Sequence, residues 1–493
     1  MSVIVDRFLA AADKASRDAR VSDPLRAISH RDLLRLANVM RRQVLRQTDN
    51  PHVGLCMPSC VAFAGTFYGI LWAGRTVVPL NFLLGPTELA AVVADSGLDT
   101  IFSIRHFAEQ LAPLPVKKIF IEDLPLKREM IFERLRIKPS PPRVRPDDTA
   151  ILLYTSGTSG VPKGVCQTHA NLVHNVESSV AKARLEAGHR FLGVLPLFHS
   201  FGITAMMLVP TWIGADVHYL PRFTPAGLFD AIRERRSSVT MLIASMYGAM
   251  LKSKRGKAED LASVTYAISG GEALPPQVHA EFLQRFKVDV LQGYGMTEAS
   301  PVVSLNVPWD HRTGTVGQAI PGLDVRAVDD KNTALPAGRD GELWVRGPSV
   351  MKGYYKKPDE TAAAITPDGW YKTGDMGNLD PDGFITITGR KKEMIIVGGE
   401  NVYPREIENA LEQHAAVAES AVIGRQDASR GEVVVAFVTL REGASATETE
   451  LREHCRERLA GYKVPRQVII APDLPRGPTG KILKRKLKET LTA

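Results

Sequence analysis

Cysteine is scarce in this sequence, with four residues in a chain of 493. Four cysteines cannot build the disulfide framework of a small secreted protein. Cys56 and Cys60 lie close together, but no second pair of cysteine or histidine residues stands nearby to complete a zinc site. We therefore expect reduced thiols, no zinc at this pair and a cytoplasmic location.

Long hydrophobic runs are also missing. The longest are residues 61–73 and 202–215, and both are shorter than the ~20 residues that a membrane-spanning helix needs. The N-terminal stretch carries charges inside its apolar part, which is not the pattern of a signal peptide. The sequence thus predicts no transmembrane segment and two buried helices, and it leaves peripheral contact with a membrane surface open.

The third absence is a strong charge excess of one sign. The formal net charge is +8, from 62 basic and 54 acidic residues, and the basic residues are scattered. No basic stripe interleaved with aromatic residues is present, which argues against nucleic acid as a partner. A modest positive charge suits polyanionic small molecules or an acidic partner protein.

The pattern of strand and helix signals along the sequence divides the chain into two unequal parts. Its length predicts about three units of roughly 150 residues, and alternating strand and helix signals favour parallel α/β layers. Residues 123–148, charged and rich in proline, are interpreted as a surface connection, and residues 315–388 as a small β subdomain. The expected α/β fold has a large multi-layer N-terminal domain (1–389), made of two α/β subdomains and a small β-barrel-like subdomain, and a smaller mobile α+β C-terminal lid domain (390–493).

Short apolar runs bounded by turn residues predict the strands. Ser29 with Asp32 has the spacing of a capping box ahead of an amphipathic helix, and another helix is expected to begin near Thr87. The strands are predicted at residues 53–57, 76–80, 99–104, 118–122, 150–154, 191–195, 217–220, 239–244, 264–269, 288–292, 395–397, 419–423 and 433–440.

The stretch YTSGTSGVPKGV, residues 154–165, follows a predicted strand and is rich in glycine and hydroxyl groups. Glycine lets backbone N–H groups approach phosphate oxygens, hydroxyls donate further hydrogen bonds, and a lysine supplies charge. A flexible turn is the alternative interpretation. The lysine is followed by glycine rather than serine or threonine, so the stretch is not the loop of the common ATPases. The residues assigned to phosphate binding are Thr155, Ser156, Gly157, Thr158, Ser159, Gly160 and Lys163.

This loop resembles the signature loop of the adenylate-forming superfamily, which comprises acyl-CoA synthetases, peptide-synthetase adenylation domains and luciferases. Six further stretches resemble the family's other signatures in the expected order, so the resemblance covers essentially the whole chain. It is strongest toward bacterial medium- and long-chain fatty acyl-CoA synthetases. The six stretches are LPLFHSFG at 195–202, SGGEALP at 269–275, QGYGMTE at 292–298, YKTGD at 371–375, GRKKEMIIVGGENVYPREIE at 389–408 and PRGPTGK at 475–481.

The resemblance implies an acid–thiol ligase that works in two half-reactions. ATP and a carboxylate give an acyl-adenylate and pyrophosphate, and a thiol then displaces AMP to give a thioester. The implied cofactors are ATP and Mg²⁺, with coenzyme A as co-substrate. The enzyme must hold the carboxylate in line and stabilise the charge that develops on the phosphates.

The resemblance also assigns roles to residues around the nucleotide. Tyr294 is expected to stack on adenine, Thr297 to donate to the α-phosphate, and Asp375 to accept from the ribose hydroxyls, with Arg390 beside it. Glu298, together with Thr155, is assigned to Mg²⁺, since a hard cation prefers oxygen ligands. The remaining residues assigned to this nucleotide site are Gly271, Glu272, Gln292, Gly293 and Gly295.

The other implied roles concern the acid and the lid. Lys481 is expected to bridge carboxylate and phosphate oxygens during adenylation, and His199 to gate or position the acyl carboxylate. Lys392 is assigned to a hinge about which the lid turns after adenylation. The turn would withdraw Lys481 and bring Gly398 and Gly399 to the acyl-adenylate, where they would leave a slot for pantetheine. For Lys481, Asp375 and His199, a basic tail, an ordinary turn and a core histidine are the respective structural alternatives.

The stretches near the expected acyl pocket carry no acidic residue to meet an α-amine, which favours a fatty acid. The expected apolar lining is Ile203, Met206, Met207, Ala299, Val302 and Val303. Some fatty-acid members carry a gating tryptophan after the histidine, whereas Phe201 and Ile203 occupy that stretch here. Four alternatives stay open: an aromatic acid such as cinnamate, an acidic acyl carrier protein as acceptor, a luciferase-like oxygenase and a non-catalytic nucleotide-binding protein. The chain is expected to be a monomer or a homodimer.

Overall fold

The computed structural model of the protein describes residues 3–133, 144–155, 162–398, 400–427, 431–476 and 482–492. Its α-helices in chain order are α1 (Ile4–Lys14), α2 (His30–Gln47), α3 (Val61–Trp72), α4 (Pro86–Ser96), α5 (Ala108–Leu111), α6 (Leu126–Glu133), α7 (His169–Lys182), α8 (Val209–Ile213), α9 (Pro225–Arg235), α10 (Ala244–Lys252), α11 (Pro276–Phe286), α12 (Pro358–Ala364), α13 (Pro404–Glu412), α14 (Glu448–Arg456) and α15 (Lys484–Thr492). A π-helical segment, Gly202–Leu208, precedes α8.

The strands outnumber the helices and are mostly short. In chain order they are β1 (Arg20–Asp23), β2 (Arg26–Ser29), β3 (His52–Cys56), β4 (Thr76–Pro79), β5 (Thr100–Ser103), β6 (Lys117–Phe120), β7 (Thr149–Thr155), β8 (Lys163–Thr168), β9 (Arg190–Gly193), β10 (Asp216–Tyr219), β11 (Val239–Leu242), β12 (Tyr266–Ser269), β13 (Val290–Gly295), β14 (Val302–Leu305), β15 (Gln318–Ala319), β16 (Asp324–Val328), β17 (Gly341–Arg346), β18 (Gly353–Tyr354), β19 (Tyr371–Leu379), β20 (Ile385–Arg390), β21 (Ile395–Val397), β22 (Glu400–Val402), β23 (Val417–Asp427), β24 (Gly431–Leu440) and β25 (Gln467–Ile470).

Two large sheets form the first part of the fold. The nine-stranded sheet has the order β15-β14-β13-β12-β11-β9-β10-β1-β2, and its strands from β13 to β1 are parallel. The seven-stranded sheet has the order β18-β8-β7-β4-β3-β5-β6, and its strands from β7 to β6 are parallel. The predicted α/β class with parallel layers is confirmed, and every predicted strand is present.

The helices α2 and α3 lie in the main apolar core together with side chains from both large sheets, such as Val53 and Val217. Ser29 accepts a hydrogen bond from the Asp32 backbone and begins α2, as its spacing predicts. All twelve residues of α3 are buried. The helices approach closely, because a Cβ at Gly69 would lie 2.8 Å from the Ala37 carbonyl oxygen.

Two smaller sheets follow. Four of the strands between residues 324 and 390 form an antiparallel sheet in the order β16-β17-β19-β20, with register shifts in two of its pairs. The last part of the chain forms a sheet of five strands around β24, packed against α13 and α14. This second sheet has its own apolar cluster, separate from the main core.

The interpretation of residues 123–148 as a plain surface connection was wrong in one respect. They contain α6, which packs Leu126 and Met130 against the main core and buries Glu133. The charged residues of this stretch concealed the helix, because two of its carboxylates are directed inward to partners on α2. Among the described helices, none combines the length and the apolar character needed to cross a bilayer.

Candidate active site

The carboxyl ends of neighbouring parallel strands meet at one edge of the nine-stranded sheet. There β9 is followed by residues 195–202, β11 by Ile243, and β12 by residues 270–272, while β13 contributes residues 292–295. A cavity of about 480 Å³ opens at this edge, and residues from each of these segments line it. Crevices in this position are where open α/β sheets bind their ligands.

Most of the cavity lining is apolar. Among the described residues, Glu272 is the single lining residue with a charged side chain, and it lies at the end that also holds Gly271 and Tyr294. The volume lies within the usual range for small-molecule sites. The apolar part of the lining includes Ala205, Val209, Met241, Met246, Ile268 and Leu305.

The predicted lining was wrong for five of its six residues. Val302 lines the cavity, but Ala299 and Val303 belong to a separate apolar cluster. On β14, Val302, Ser304 and Leu305 line the cavity, whereas Val303 packs into the separate cluster. The other three are fully buried in the main core: Ile203, Met206 and Met207.

In the π-helical segment, residues that line the cavity are adjacent to residues that do not. Thr204 and Ala205 line the cavity, whereas Ile203 and Met206 on either side of them do not, and Ala205 also packs in the main core. The segment lies very close to the preceding loop, because a Cβ at Gly202 would lie 2.1 Å from the Pro196 carbonyl oxygen. Segments of π-helix are frequent at functional sites.

Three residues from distant parts of the sequence form a hydrogen-bonded cluster beside the cavity. The Tyr294 hydroxyl donates to Asp375 Oδ2 at 2.6 Å, and Arg390 Nε lies 3.0 Å from Asp375 Oδ1. Asp375 is 5% exposed and pairs in register with Arg390 across β19 and β20. Burial and the neighbouring carboxylate raise the pKa of Tyr294 well above its ordinary value, so its hydroxyl remains a donor.

Thr297 and Glu298 follow β13 on a short 3₁₀ turn. The Thr297 hydroxyl lies 3.3 Å from that of Ser200, and Thr297 lines the cavity. Glu298 accepts a hydrogen bond from the Tyr354 hydroxyl at 3.1 Å, and burial raises the pKa of its carboxyl group. Burial of a carboxylate with one neutral donor leaves acceptor capacity for a cation.

A magnesium site made by protein groups alone is not visible in the described residues, since no group of three His, Cys, Asp or Glu side chains could hold a metal there. Glu298 is the one carboxylate beside Thr297 in the QGYGMTE stretch. Mg²⁺ commonly binds through one or two carboxylates together with substrate phosphates. The arrangement therefore suits a cation that arrives with a nucleotide.

The glycine- and hydroxyl-rich loop is anchored by an antiparallel pair of strands. Thr155 ends β7 opposite Lys163, which begins β8. Lys163 forms an ion pair with Glu360 and lies over the Tyr354 ring, 5.4 Å from its centroid. The predicted phosphate-binding residues Ser156, Gly157, Thr158, Ser159 and Gly160 lie outside the described residues.

The remaining predicted nucleotide residues surround the cavity mouth. Gly271, Glu272, Gly293 and Gly295 line the cavity, and Glu272 accepts from the Ser245 backbone N–H at 3.2 Å. A Cβ at Gly295 would lie 2.4 Å from the Pro301 carbonyl oxygen, so this position tolerates only glycine without a shift. Gln292 is directed differently, since its side chain accepts from the Leu274 backbone N–H at 3.3 Å.

His199 lies in the cavity lining and stacks at a tilt on Phe198, 4.6 Å between ring centroids. Burial lowers the pKa of His199 to about 4, so the ring is neutral near pH 7. Its Nε2 atom is buried and has no hydrogen-bond partner among the described residues. Buried polar atoms normally have partners, and the gap is consistent with a group supplied by a ligand.

The two predicted lid residues that the structure describes, Lys392 and Gly398, are exposed. Lys392 lies on a 3₁₀ turn after β20, and Gly398 follows β21 with a φ of +61°, where a Cβ would meet no atom within 4 Å. Gly398 therefore does not form a buried turn. Gly399 and Lys481 lie outside the described residues.

Sequence reasoning missed several residues of the site. Tyr354 donates to Glu298, Glu360 pairs with Lys163, and Met241 and Met246 supply much of the flexible lining. These residues lie outside the stretches that resemble family signatures, and their types are common in ordinary cores and surfaces. Only their spatial position identifies them.

Comparison with known proteins shows the family to which the chain belongs. Residues 10–355 match the family described as AMP-binding enzyme, and residues 406–481 match AMP-binding enzyme C-terminal domain. The chain is 35% identical to a long-chain-fatty-acid–CoA ligase of Bacillus subtilis (strain 168), covering 94% of this chain and 89% of that protein. It is also 35% identical to a feruloyl-CoA synthase of Amycolatopsis, covering 96% and 97%.

A solved structure shows the same architecture. The ATP-bound crystal structure of MatB from Rhodopseudomonas palustris has a TM-score of 0.90 and 29% identity, covering 99% of this chain and 98% of that one. The apo structure of the same protein has a TM-score of 0.82 with the same coverage. On these matches, and on a site formed where the family's signature stretches converge, the chain belongs to the AMP-binding enzyme family, among its AMP-forming acid–CoA ligases.

Proposed function

We propose that this protein activates a fatty acid with ATP and transfers the acyl group to coenzyme A. The observation that carries the proposal is the 480 Å³ cavity, which is apolar over most of its wall and reaches Tyr294 and Thr297 at one end. A carboxylate at that end would lie beside the nucleotide site, and its hydrocarbon chain would occupy the apolar part.

The apolar part of the cavity supports a saturated chain as the substrate. Each buried methylene contributes about 0.8 kcal/mol, which is roughly fourfold in binding per carbon. Two of the polar residues in this lining are already engaged, because the Thr204 and Ser304 hydroxyls donate to the carbonyl oxygens of Ser300 and Val316. They offer little to a polar substituent on the acid.

The nucleotide would be held by the cluster around Asp375. Each oxygen of this carboxylate has one protein donor and retains a free lone pair for a ribose hydroxyl. Tyr294 would then lie against adenine, and Thr297 would donate to the α-phosphate. Glu298 would bind the Mg²⁺ that accompanies ATP, and the loop that includes Thr155 would surround the outer phosphates.

His199 would act as a neutral group beside the acid. Its lowered pKa keeps the ring uncharged near pH 7, so it can orient a carboxylate by one hydrogen bond without forming an ion pair. Lys481 would supply the positive charge instead, when the lid is in its adenylation pose.

The lid would consist of residues 390–493 and would turn about Lys392 between the half-reactions. The higher TM-score to the ATP-bound than to the apo structure of MatB supports an arrangement suited to nucleotide binding. In the second pose, Gly398 and Gly399 would approach the acyl-adenylate and leave room for pantetheine.

An aromatic acid is the second candidate. The feruloyl-CoA synthase of Amycolatopsis is as similar in sequence as the fatty-acid ligase of Bacillus subtilis. An acyl carrier protein remains a rival acceptor, since the chain carries a net charge of +8. The experiment is ATP-dependent thioester formation with saturated acids from acetate to palmitate, and with cinnamate, ferulate and benzoate.

Each acid should be tested with coenzyme A and with acyl carrier protein. We expect kcat/KM with coenzyme A to rise steeply from butyrate to an optimum between octanoate and palmitate. A flat profile, or a preference for an aromatic acid over every fatty acid, would contradict the fatty-acid assignment. Faster transfer of the acyl group to the carrier protein than to coenzyme A would contradict the assignment of coenzyme A as the acceptor.

A further inference from the structure

Part of helix α6 has an inverted arrangement of side chains, although Leu126 and Met130 pack against the main core. Its Glu133 is 6% exposed, whereas Ile131 is 67% exposed and Phe132 is 49% exposed. A surface helix normally buries its apolar residues and exposes its charged ones. Two features therefore need a physical reason: the burial of the acidic side chains and the exposure of the large apolar ones.

The inward face of α6 is held by basic and amide groups on α2. Glu133 Oε2 lies 2.5 Å from Arg42 Nη1, and Glu129 accepts from Gln43 Nε2 at 2.8 Å and from Arg46 Nη1 at 3.1 Å. Both carboxylates are thus neutralised and shielded. The negative charge of the helix is removed from its outer surface.

The outward face combines two cations with two large apolar side chains. Lys127 and Ile131 are four residues apart, as are Arg128 and Phe132, so each pair lies on one side of the helix. The Arg128 guanidinium lies 5.8 Å from the centroid of the Phe132 ring. Just before the helix, Asp123 is paired with Arg105 at 2.6 Å, which offsets its charge.

We propose that this face of α6, formed by Lys127, Arg128, Ile131 and Phe132, docks on an anionic lipid surface. Charge complementarity selects this occupant, because lipid phosphates and carboxylates would meet the two cations while the apolar side chains enter the acyl boundary. The inference goes beyond the proposed function and does not depend on it.

The first test measures the cationic half of the surface by co-sedimentation with vesicles. Wild type and the double variant Lys127→Gln/Arg128→Gln are compared on phosphatidylcholine vesicles with and without phosphatidylserine. At about 1 kcal/mol per basic residue near such a surface, we expect a roughly 30-fold lower partition coefficient for the variant on the mixed vesicles. The control Lys254→Gln/Arg255→Gln makes the same change in net charge at exposed positions elsewhere and should bind like wild type.

The second test measures the apolar half. The variant Ile131→Ser/Phe132→Ser should bind the mixed vesicles more weakly than wild type, and its residual binding should fall further as salt is added. Leu25→Ser removes a leucine that is 86% exposed on a distant turn and should leave vesicle binding unchanged. Circular dichroism checks that each variant is folded.

Three outcomes would overturn the proposal. Wild type could fail to bind the mixed vesicles, or the α6 variants could bind as tightly as wild type. If sedimentation velocity in vesicle-free buffer shows that Ile131→Ser/Phe132→Ser converts an oligomer to a monomer, the face is a contact between copies of the chain and the lipid assignment is wrong. Ligase activity in vesicle-free buffer reports separately on the proposed function, because no α6 residue lines the cavity.

Discussion

Replacing Ala205 by leucine should shorten the acid that the protein prefers. Ala205 lies in the π-helical segment and lines the cavity. Leucine adds three carbon atoms to the wall and would displace about three methylenes of the substrate. At about 0.8 kcal/mol per methylene, acids long enough to reach this position would lose about 2.4 kcal/mol, or roughly 60-fold in kcat/KM, while shorter acids would be unaffected.

The assay is acyl-CoA formation with saturated acids from acetate to palmitate, and the matched control is Ala299→Leu. Ala299 is fully buried in an apolar cluster outside the cavity. The same added volume there should cost about 1–3 kcal/mol of stability by overpacking, seen as a lower melting temperature. The rank order of the acids should stay that of wild type.

The reasoning would be refuted if Ala205→Leu left the chain-length profile unchanged in a folded enzyme. It would be refuted equally if Ala299→Leu shifted the optimum and Ala205→Leu did not. The second result would restore the wall predicted from the sequence and would place the acyl chain outside the 480 Å³ cavity.

Four further outcomes are expected. Lys481→Ala should slow acyl-adenylate formation by roughly 10²–10³-fold, as for loss of one preorganised electrostatic donor. The variant enzyme should still convert synthetic acyl-adenylate to acyl-CoA at nearly the wild-type rate. Equal losses in both steps would contradict the two-pose proposal. Asp375→Ala should raise the KM for ATP by roughly 10- to 150-fold, because a hydrogen bond from a ribose hydroxyl to a charged group contributes about 1.5–3 kcal/mol; an unchanged KM would show that Asp375 does not bind the ribose. Glu298→Gln keeps the shape and loses the charge, so higher Mg²⁺ should be needed for turnover, and an unaltered Mg²⁺ titration would exclude Glu298 as the ligand. Burial lowers the pKa of His199 from 6.5 to about 4, so as pH falls from about 6.5 toward 4 the unfolded chain takes up the proton first and the protein loses the stability due to the neutral ring. In His199→Gln, the unfolding free energy measured with urea should depend less on pH over this range. A pH dependence equal to that of wild type would contradict the burial argument.

Local patterns in the sequence predicted ten of the sixteen strands of the two large sheets, and β1, β2, β8, β14, β15 and β18 were not predicted. The strand predicted at 239–244 is observed at Val239–Leu242, and the capping box at Ser29 begins α2. These elements depend on periodicity and on side chains within a few residues, and both can be read along the chain. The stretch 123–148 was misread because the partners that hold its glutamates lie on α2, some ninety residues away.

For the site, the sequence by itself determined which chemical groups are present. The order of the signature stretches pointed to Tyr294, Thr297, Asp375 and Arg390, and the structure brings Tyr294, Asp375 and Arg390 into one hydrogen-bonded cluster. Their roles toward ATP remain proposals that the predicted variants test.

The tertiary structure alone decided which side chains face the acid. Ile203 and Ala205 are two residues apart and both pack in the main core, yet of the two only Ala205 also lines the cavity. Both residues lie in the π-helical segment, where Gly202 approaches Pro196 closely, and this backbone geometry sets which of the two side chains reaches the cavity. Composition reports how much apolar surface a segment has, but the direction of each side chain depends on backbone geometry and on neighbours that are distant in sequence.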